Sequence, residues 1–279
     1  MIKETAPIEF LYSAIILPEF NIFAIQIGDF GIRWYALSYI AGLLIGIYIL
    51  RRETRLPKSL MTPDQIDHLF NYLLVGIIIG GRLGYILFYN AAFYLSNPLS
   101  IFRLWEGGMS FHGALIGVGL SLFVMARRND LPFRALSDRV AMVAPIGLFL
   151  GRLSNFINGE LYGRITTVPW AMIFPHSDLQ PRHPSQLYEA GLEGALLGLV
   201  MYILLRKNWL DSLGRLTGVF LCGYGLARFL VETVRQPDAH IGLFAGGISI
   251  GQILSLPMIL FGFYLLLQSW RQEQNHGKL

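Results

Sequence analysis

Charged residues are scarce in this sequence. Only 14% of its 279 residues are Asp, Glu, Lys or Arg, whereas soluble domains carry about 25%. Hydrophobic residues make up 54% of the chain, and the mean hydropathy is +0.51. This balance is typical of a membrane protein. The net charge of +4 therefore indicates an uneven distribution of Lys and Arg rather than a nucleic-acid partner.

Cysteine is also nearly absent. Cys222 is the only one in the chain, which excludes an intrachain disulfide and a metal site built from cysteines. The acidic motif D-x-x-D-x-x-D, typical of one class of membrane enzymes that act on lipid phosphates, does not occur either. We therefore expect no metal site and no cofactor.

Long hydrophobic runs, by contrast, are abundant. A helix needs about 20 mostly apolar residues to cross the bilayer core. Seven stretches qualify, which predicts an all-α polytopic membrane protein with seven transmembrane helices. The stretches are residues 32–50, 68–89, 111–126, 139–156, 187–205, 215–234 and 247–269.

A short segment at the start of the first span has a different pattern. The sequence "NIFAIQIGDFGIRWY" alternates with period two and contains Gly28-Asp29 near its middle. Such alternation around a turn dipeptide is typical of two short antiparallel strands. We therefore predict a small N-terminal hairpin at the membrane surface.

The distribution of Lys and Arg predicts the orientation. Thirteen of the 22 basic residues lie in clusters in alternate loops and after the last span, and short cytoplasmic loops carry such an excess. The N-terminus is then periplasmic and the C-terminus cytoplasmic. Because no linker or repeat divides the chain, residues 1–279 are expected to form one transmembrane domain. The connections of about 90–110 and 157–186 would form a small external cap.

Polar residues converge on one predicted depth. An Arg or Asp at bilayer depth costs roughly 2.5–3.5 kcal/mol on insertion scales, so such residues are functional candidates. The topology places polar or aromatic residues of six helices near the outer leaflet. They are Trp34, Tyr35, Arg82, His112, Arg152, Asn155, Glu189, Glu193, Tyr224, Arg228 and Glu232. This convergence favours a binding site.

Each residue also has a structural interpretation. Arg228 and Glu232, four residues apart, can form an ion pair within one helix. Glu189 and Glu193 can be interfacial, and Tyr35 can belong to the aromatic belt. Only the shared depth of these residues favours a function.

The stretch "GLFLGRLSNFINGELYGR", residues 147–164, begins as a membrane helix and ends rich in polar residues and glycines. Glycines allow a sharp turn at a helix end. Arg152 offers a planar fork suited to phosphate. Asn155 and Asn158 can present amides to the same place, and Glu160 can orient the arginines. These residues predict a site for a polar lipid headgroup, but they leave open whether an enzyme or a transporter uses it.

Part of this stretch, "GRLSNFINGELYGR", resembles the signature of the bacterial prolipoprotein diacylglyceryl transferases. Other stretches resemble the same family in order and spacing. They are "RWYALSY" at 33–39, "GGRLGYILFYN" at 80–90, "WEGGMSFHGALIG" at 105–117, "RHPSQLYE" at 182–189 and "GYGLARFLVETVRQPD" at 223–238. Ser154 stands where the family usually has glycine; serine is small, so we expect it to be tolerated.

The resemblance implies a transferase of the bacterial inner membrane. Such enzymes move the sn-1,2-diacylglyceryl group of phosphatidylglycerol onto the lipobox cysteine thiol of a preprolipoprotein. A thioether forms and glycerol 1-phosphate leaves. The expected partners are phosphatidylglycerol, the preprolipoprotein signal peptide and membrane lipids, with no nucleic acid.

The resemblance also implies a site. A thiol has a pKa near 8.5, about that of free cysteine, and needs a base or a cation to ionise at neutral pH. His112 is the candidate base, and Arg152 and Arg228 are the candidate stabilisers of the departing phosphate; whether His112 instead only positions substrate stays open. The predicted substrate-binding residues are Tyr35, Arg82, Asn155, Asn158, Glu160, Gly163, Tyr224 and Glu232.

Two other classes of function compete with this one. A transporter of an anionic lipid or metabolite would show inverted repeats and broken helices at the midplane, and the sequence shows no repeat. A different membrane enzyme acting on lipid phosphates would normally carry the acidic metal-binding motif that is missing. The resemblance therefore favours the diacylglyceryl transferase.

Overall fold

A computed structural model describes residues 14–27, 30–55, 59–104, 107–175, 177–237 and 242–276. Helices dominate these residues. They are α1 Trp34–Glu53, α2 Pro63–Tyr89, α3 Ala91–Ser96, α4 Phe111–Arg128, α5 Phe133–Ile157, α6 Ser185–Arg206, α7 Arg215–Val231 and α8 Ile250–His276. Short 3-10 turns lie at Pro98–Phe102, Trp209–Asp211 and Ala245–Gly247.

Five helices are long and apolar enough to cross a membrane: α1, α2, α5, α6 and most of α8. The other two predicted spans lie on α4 and α7, which have 18 and 17 residues. The helix α4 also ends in Arg127 and Arg128, which shortens its apolar part. The protein is therefore a multi-pass membrane protein, and seven spans stay a prediction.

Four short strands accompany the helices. Strand β2, Phe23–Ile27, pairs antiparallel with β3, Phe30–Arg33, which confirms the predicted hairpin; its turn dipeptide Gly28-Asp29 lies outside the described residues. Strand β1, Ile15–Ile16, pairs in parallel with β4, Met172–Ile173. The segment before the hairpin is thereby held by the connection between α5 and α6.

The chain divides into two compact units. The first unit contains the described residues of 1–46, 141–209 and 215–279, and the second contains those of 47–140 and 210–214. The single transmembrane domain and its external cap stay predictions.

Glycines bring α2 and α4 close together in the second unit. A Cβ on Gly80 would lie 2.5 Å from the carbonyl oxygen of Gly113 and 2.7 Å from the Cα of Gly117. Because no side chain intervenes, the two backbones touch, as is common between membrane helices. This contact fixes the start of α4, where His112 lies.

The first unit has an apolar core with charged residues inside it. Phe174, Met201 and Leu216 are fully buried, yet Glu189 and Glu193 of α6 are equally inaccessible. The segment Ala190–Leu196 of α6 is π-helical, a local irregularity that often marks functional sites.

Two close contacts between helices hold together the part of the first unit that contains these charges. In α6, Gly194 lies so near α5 that a Cβ on it would come within 2.6 Å of the Cβ of Phe149. In α7, the thiol of Cys222 donates a hydrogen bond to the carbonyl oxygen of Ile259 in α8, at 3.5 Å. The helices α5, α6, α7 and α8 thus supply the frame of the candidate site.

Candidate functional site

The helix α5 ends in a turn at Gly159, next to the predicted site residues Asn155, Asn158 and Glu160. The amide of Glu160 donates to the carbonyl oxygen of Asn155, and the amide of Gly159 to that of Phe156, both at 3.0 Å. Gly159 has a φ of +64°, which glycine adopts without steric cost. This is the Schellman arrangement of a helix C-terminus, and it gives the sharp turn that the sequence predicts.

Two asparagine side chains converge on the carboxylate of Glu160. The Nδ2 atoms of Asn155 and Asn158 donate to Glu160 Oε1 at 2.9 and 3.2 Å. The expectation that Glu160 orients the arginines is therefore wrong for the described residues, since it holds the two asparagines. Asn155 is buried, so this contact sets the direction of its amide.

Gly163 lies where three segments meet. Its amide donates to the carbonyl oxygen of His183 at 2.8 Å, and its own carbonyl accepts from Arg182 Nη1 at 3.0 Å. A Cβ at this position would lie 2.6 Å from both His183 Cβ and the carbonyl oxygen of Val234. Only glycine fits this junction without displacing the backbone.

Arg182, which lies in the connection between α5 and α6, also stabilises this junction. It forms two hydrogen bonds with the carboxylate of Asp178, at 3.0 and 2.8 Å. The guanidinium group holds the pKa of this carboxyl below its usual value. The side chain of Arg182 also lies over the ring of Tyr162, 4.8 Å from the centroid, so it joins both sides of the connection.

Three arginines and three glutamates form a buried cluster in the first unit, called here the arginine–glutamate cluster. Its members are Arg152, Glu189, Glu193, Arg228, Glu232 and Arg235. They come from α5, α6, α7 and the turn after α7. Their formal charges sum to zero.

Glu189 is the centre of this cluster. Its Oε2 lies 3.0 Å from Arg152 Nη1, and its Oε1 lies 2.6 Å from Arg228 Nη1 and 2.8 Å from Arg235 Nη1. The side chain is 0% exposed, so Glu189 is not the solvated residue that the interfacial interpretation implies. Three cations around one buried carboxylate satisfy the charge that burial would otherwise make costly.

Glu193 is buried as deeply but is held more loosely. Its Oε2 lies 3.2 Å from Arg152 Nη2, and its Oε1 lies 4.0 Å from Arg228 Nη1. The side chain is 0% exposed, so it too is shielded from solvent. Glu193 thus lies beside both arginines that the sequence assigns to phosphate.

Glu232 holds the far side of Arg228. Its Oε1 lies 2.5 Å from Arg228 Nη2 and 3.7 Å from Arg235 Nε, and its Oε2 accepts from the hydroxyl of Ser249 at 2.7 Å. The expected ion pair between Arg228 and Glu232 is present, but it is one part of the larger cluster.

Two tyrosines predicted to bind substrate lie in different surroundings. Tyr224 is fully buried in α7 and stacks on Phe220, with ring centroids 6.1 Å apart. Tyr35 in α1 is 37% exposed, and its hydroxyl shares a hydrogen bond of 2.7 Å with that of Tyr39. Tyr35 interacts electrostatically with Arg152, and Tyr224 with Glu193 and Arg228, so both tyrosines border the cluster.

Arg82 lies in the second unit, with its guanidinium group surrounded by backbone. The side chain is buried. Its five N–H groups donate at 2.5–3.2 Å to the carbonyl oxygens of Ser100, Ile101, Arg103, Gly107 and Gly108. Because every donor is engaged, Arg82 can bind a headgroup only by giving up one of these contacts.

His112 also belongs to the second unit. It is buried and is the second residue of α4. The hydroxyl of Ser110 caps this helix by accepting from the amide of Gly113 at 3.2 Å. The segment that Arg82 holds therefore leads directly into the helix that carries His112.

The sequence places Glu189 and Glu193 at the depth of the predicted site without giving them a role, and Arg235 is not among its candidates. A signal for the glutamates was their spacing of four residues at the start of an apolar stretch. Arg235 lies seven residues after Arg228, a spacing of two helical turns. Neither spacing by itself separates a buried charge from an interfacial one.

These helices and this cluster define a class: a multi-pass membrane protein that buries arginines and carboxylates between apolar helices. A model of the prolipoprotein diacylglyceryl transferase family matches residues 22–268. The chain belongs to this family, whose members are enzymes.

Individual relatives agree with the family match. The phosphatidylglycerol–prolipoprotein diacylglyceryl transferase of Methylocella silvestris is 52% identical over 89% of this chain and 93% of its own length. The protein of the same name from Photobacterium profundum is 46% identical over 92% of this chain and 96% of its own. That from Aliivibrio fischeri is 48% identical over 92% of each chain.

Proposed function

We propose that this protein transfers the sn-1,2-diacylglyceryl group of phosphatidylglycerol to the thiol of the lipobox cysteine in a preprolipoprotein. A thioether forms and glycerol 1-phosphate is released, the first step of lipoprotein maturation. The names of the relatives support both substrates. The observation that carries the chemistry is the arginine–glutamate cluster, because it offers guanidinium groups to a phosphate inside an apolar bundle.

Arg152 and Arg228 bind the phosphate in this proposal. Each has a side chain only 13% exposed, so the surroundings that strengthen their electrostatic effect exclude most water. A planar guanidinium group can grip two phosphate oxygens at once. As the glyceryl C–O bond breaks, negative charge grows on the phosphate, and these two groups stabilise it.

His112 accepts the proton of the substrate thiol. It is buried at the start of α4, and a positioned base typically contributes about 10²–10⁴ in rate. His112 belongs to the second compact unit and the arginines to the first, and the family resemblance supports the assignment of His112 as the base. The alternative, in which His112 only positions substrate, is separated by the pH test given in the Discussion.

The remaining predicted residues bind or orient the lipid. Asn155 and Asn158, held by Glu160, orient the glycerol or phosphate, and Tyr35 and Tyr224 contribute to headgroup binding. Gly163 keeps the connection folded over them. Glu232 holds Arg228. Arg82 acts through the segment that it holds.

The proposed setting is the bacterial inner membrane. All seven predicted spans cross it, with the N-terminus periplasmic, the C-terminus cytoplasmic and the site toward the outer leaflet. The basic clusters of alternate loops support this orientation. A reporter fused after Leu279 should be active only in the cytoplasm; activity in the periplasm would contradict the topology.

A reconstituted reaction tests the function. Purified protein is mixed with phosphatidylglycerol and a lipobox peptide, and the product is analysed by mass spectrometry. We expect a peptide carrying a diacylglyceryl thioether, and none from a control peptide with serine in place of cysteine. Absence of the thioether, together with protein-dependent movement of anionic lipid across vesicles, would favour a transporter instead.

A further inference from the structure

The three carboxylates of the arginine–glutamate cluster are unequally stabilised. Glu189 has guanidinium nitrogens of three arginines within 3.0 Å. Glu232 has one at 2.5 Å and a hydroxyl at 2.7 Å. Glu193 has one ion pair at 3.2 Å and a second, at 4.0 Å, that is too long for a hydrogen bond; its Oε1 accepts no hydrogen bond among the described residues. Of the three, Glu193 is the carboxylate that loses least when it is protonated.

Binding of a phosphodiester changes the charge of this cluster. The three arginines and three glutamates balance, so a bound phosphodiester would leave one uncompensated negative charge in a site that is almost closed to water. A buried, unpaired charge is strongly unfavourable, and groups in that situation change their protonation instead. One proton on one carboxylate would restore neutrality.

From this imbalance, and building on the proposed function, we propose that Glu193 binds a proton when phosphatidylglycerol enters the cluster and donates it to the phosphate that leaves. The geometry supports the donation. The carboxyl group lies between Arg152 and Arg228, 3.2 Å from one and 4.0 Å from the other. A phosphate held by both arginines is therefore a neighbour of Glu193.

The reaction then balances as follows. The thiolate sulfur forms a bond to the glyceryl carbon, the bond from this carbon to the phosphate oxygen breaks, and its electron pair goes to that oxygen. Breaking this bond would turn the phosphodiester monoanion into a phosphate monoester with two negative charges. The proton of Glu193 moves to this monoester, which therefore departs with a single negative charge. Glu193 becomes a carboxylate again, and the cluster returns to zero net charge. The thiol proton goes to a separate base.

The groups that face Glu193 are the ones that this proposal depends on. Arg152 comes from α5, Arg228 and Tyr224 from α7, and Glu189 from its own helix. The arginines remain charged throughout, and Glu189 is already held by three cations. Glu193 is thus the carboxylate that can change protonation without breaking the rest of the cluster.

The first test measures the equilibrium binding of phosphatidylglycerol to the wild-type protein in detergent micelles between pH 6 and pH 8.5. Proton uptake on binding makes affinity fall as pH rises, by up to about tenfold per pH unit for one proton. We expect such a slope. A flat profile would overturn the proposal without any variant being needed.

The second test uses Glu193→Gln, which imitates the protonated carboxyl but cannot donate a carboxyl proton. We expect lipid binding at pH 8 as tight as in wild type or tighter, a flat pH profile of binding, and a kcat lower by about 10²–10⁴. The control Glu273→Gln removes a carboxylate that lies outside the cluster, near the exposed end of α8. It should keep the pH slope, because the charge balance of the cluster is unchanged. Weaker binding by Glu193→Gln with an unchanged slope, or an unchanged kcat, would make Glu193 a structural ion partner.

The failure of this inference is distinguishable from failure of the proposed function. If the wild-type protein forms no thioether from phosphatidylglycerol and the lipobox peptide, the proposed function is wrong. If it forms the thioether while the binding profile is flat, only the role of Glu193 is wrong. If Glu193→Gln does not fold, the wild-type profile still decides the proton uptake.

Discussion

Two of the regions that enclose arginine side chains, the loop around Arg82 and the arginine–glutamate cluster, do so with opposite kinds of partner. In the second unit, the five donors of Arg82 reach backbone carbonyl oxygens. In the first unit, Arg152 and Arg228 contact carboxylates. Carbonyl groups are neutral and cannot change protonation. Carboxylates can, so only the first region can adjust its charge when an anion arrives.

This difference in partners indicates different roles for the buried arginines. All three arginines look alike in sequence, as single cations in or beside apolar stretches. Arg82 has used its donors to fix a loop, so we expect it to contribute to folding and to the placement of α4. Arg152 and Arg228 share Glu189 and lie beside the loosely held Glu193, so their contacts can be exchanged for those of a phosphate.

The strongest test of this comparison replaces the two cluster arginines by lysine. Arg152→Lys or Arg228→Lys keeps the charge but loses the planar two-point grip, and loss of one stabilising donor typically costs about 10²–10³ in kcat. We expect a loss of at least this size in thioether formation, with normal membrane insertion. Arg206→Lys, at the exposed end of α6, is the matched control. If both lysine variants formed thioether at nearly the wild-type rate, the two guanidinium groups would not be the phosphate-binding groups.

The second test asks whether His112, in the second unit, acts as a base or only positions the substrate. His112→Gln removes a base and keeps one hydrogen-bonding group, and we expect about 10²–10⁴ lower activity at pH 6.5. The ratio of wild-type to variant rates should shrink at pH 9, where the solvent already forms thiolate. Rates and lipid affinity are measured together at both pH values. A constant ratio with weaker phosphatidylglycerol binding would assign His112 to substrate positioning.

A pair of glycine variants tests how the first region is held. Gly163→Ala would place a Cβ 2.6 Å from the carbonyl oxygen of Val234, so the junction must shift and activity should fall about tenfold or more. In the control Gly159→Ala, the added Cβ would contact no other atom, and only the positive φ is unfavourable. That backbone conformation costs an L-residue roughly 1–2 kcal/mol, so activity should stay within threefold of wild type. Equal losses in the two variants would show that the close approach at Gly163 is unimportant.

Arg82→Lys tests the other side of the comparison. Lysine has three donors on a flexible stem in place of five in a fixed fork, so about two hydrogen bonds are lost, each worth roughly 0.5–1.5 kcal/mol. We expect a lower midpoint of thermal unfolding but a kcat per folded molecule within about fivefold of wild type. A hundredfold fall in kcat with unchanged unfolding would instead place Arg82 in contact with the headgroup.

The smallest effect is expected at Ser154. Its hydroxyl contacts that of Ser38 in α1, and its side chain is buried. Ser154→Gly restores the usual family residue and removes one hydrogen bond between helices, worth about 0.6 kcal/mol. Activity should stay within threefold of wild type, and Ser38→Ala should match it. A loss above tenfold in Ser154→Gly would mean that this chain depends on the hydroxyl.

The sequence predicted local features well because local rules govern them. The hairpin of β2 and β3 followed from alternation around a turn dipeptide, and the turn at Gly159 followed from glycine at a helix end. The apolar runs predicted the helices, but α4 and α7 are shorter than the other candidate spans, because polar ends limit their apolar length.

The partners of the charged residues could not be predicted from the sequence. Helical spacing puts Glu189 and Glu193 on nearly the same face, but their burial depends on the approach of α5 and α7. Glu160 holds asparagines and not arginines because the turn at Gly159 brings its carboxylate back toward Asn155. The backbone partners of Arg82 come from a loop about 20 residues further on. Such contacts depend on tertiary packing.

The single cysteine of this chain has a practical consequence for measuring its activity. The thiol of Cys222 is only partly exposed and donates to a carbonyl oxygen of the neighbouring helix. In a mixture with a lipobox peptide, nearly all rapidly reacting thiol therefore belongs to the peptide. A maleimide dye would count unmodified substrate at any time, and Cys222→Ser would remove the remaining background. Each turnover consumes one thiol, so the loss of dye labelling gives the rate without separating the lipid product.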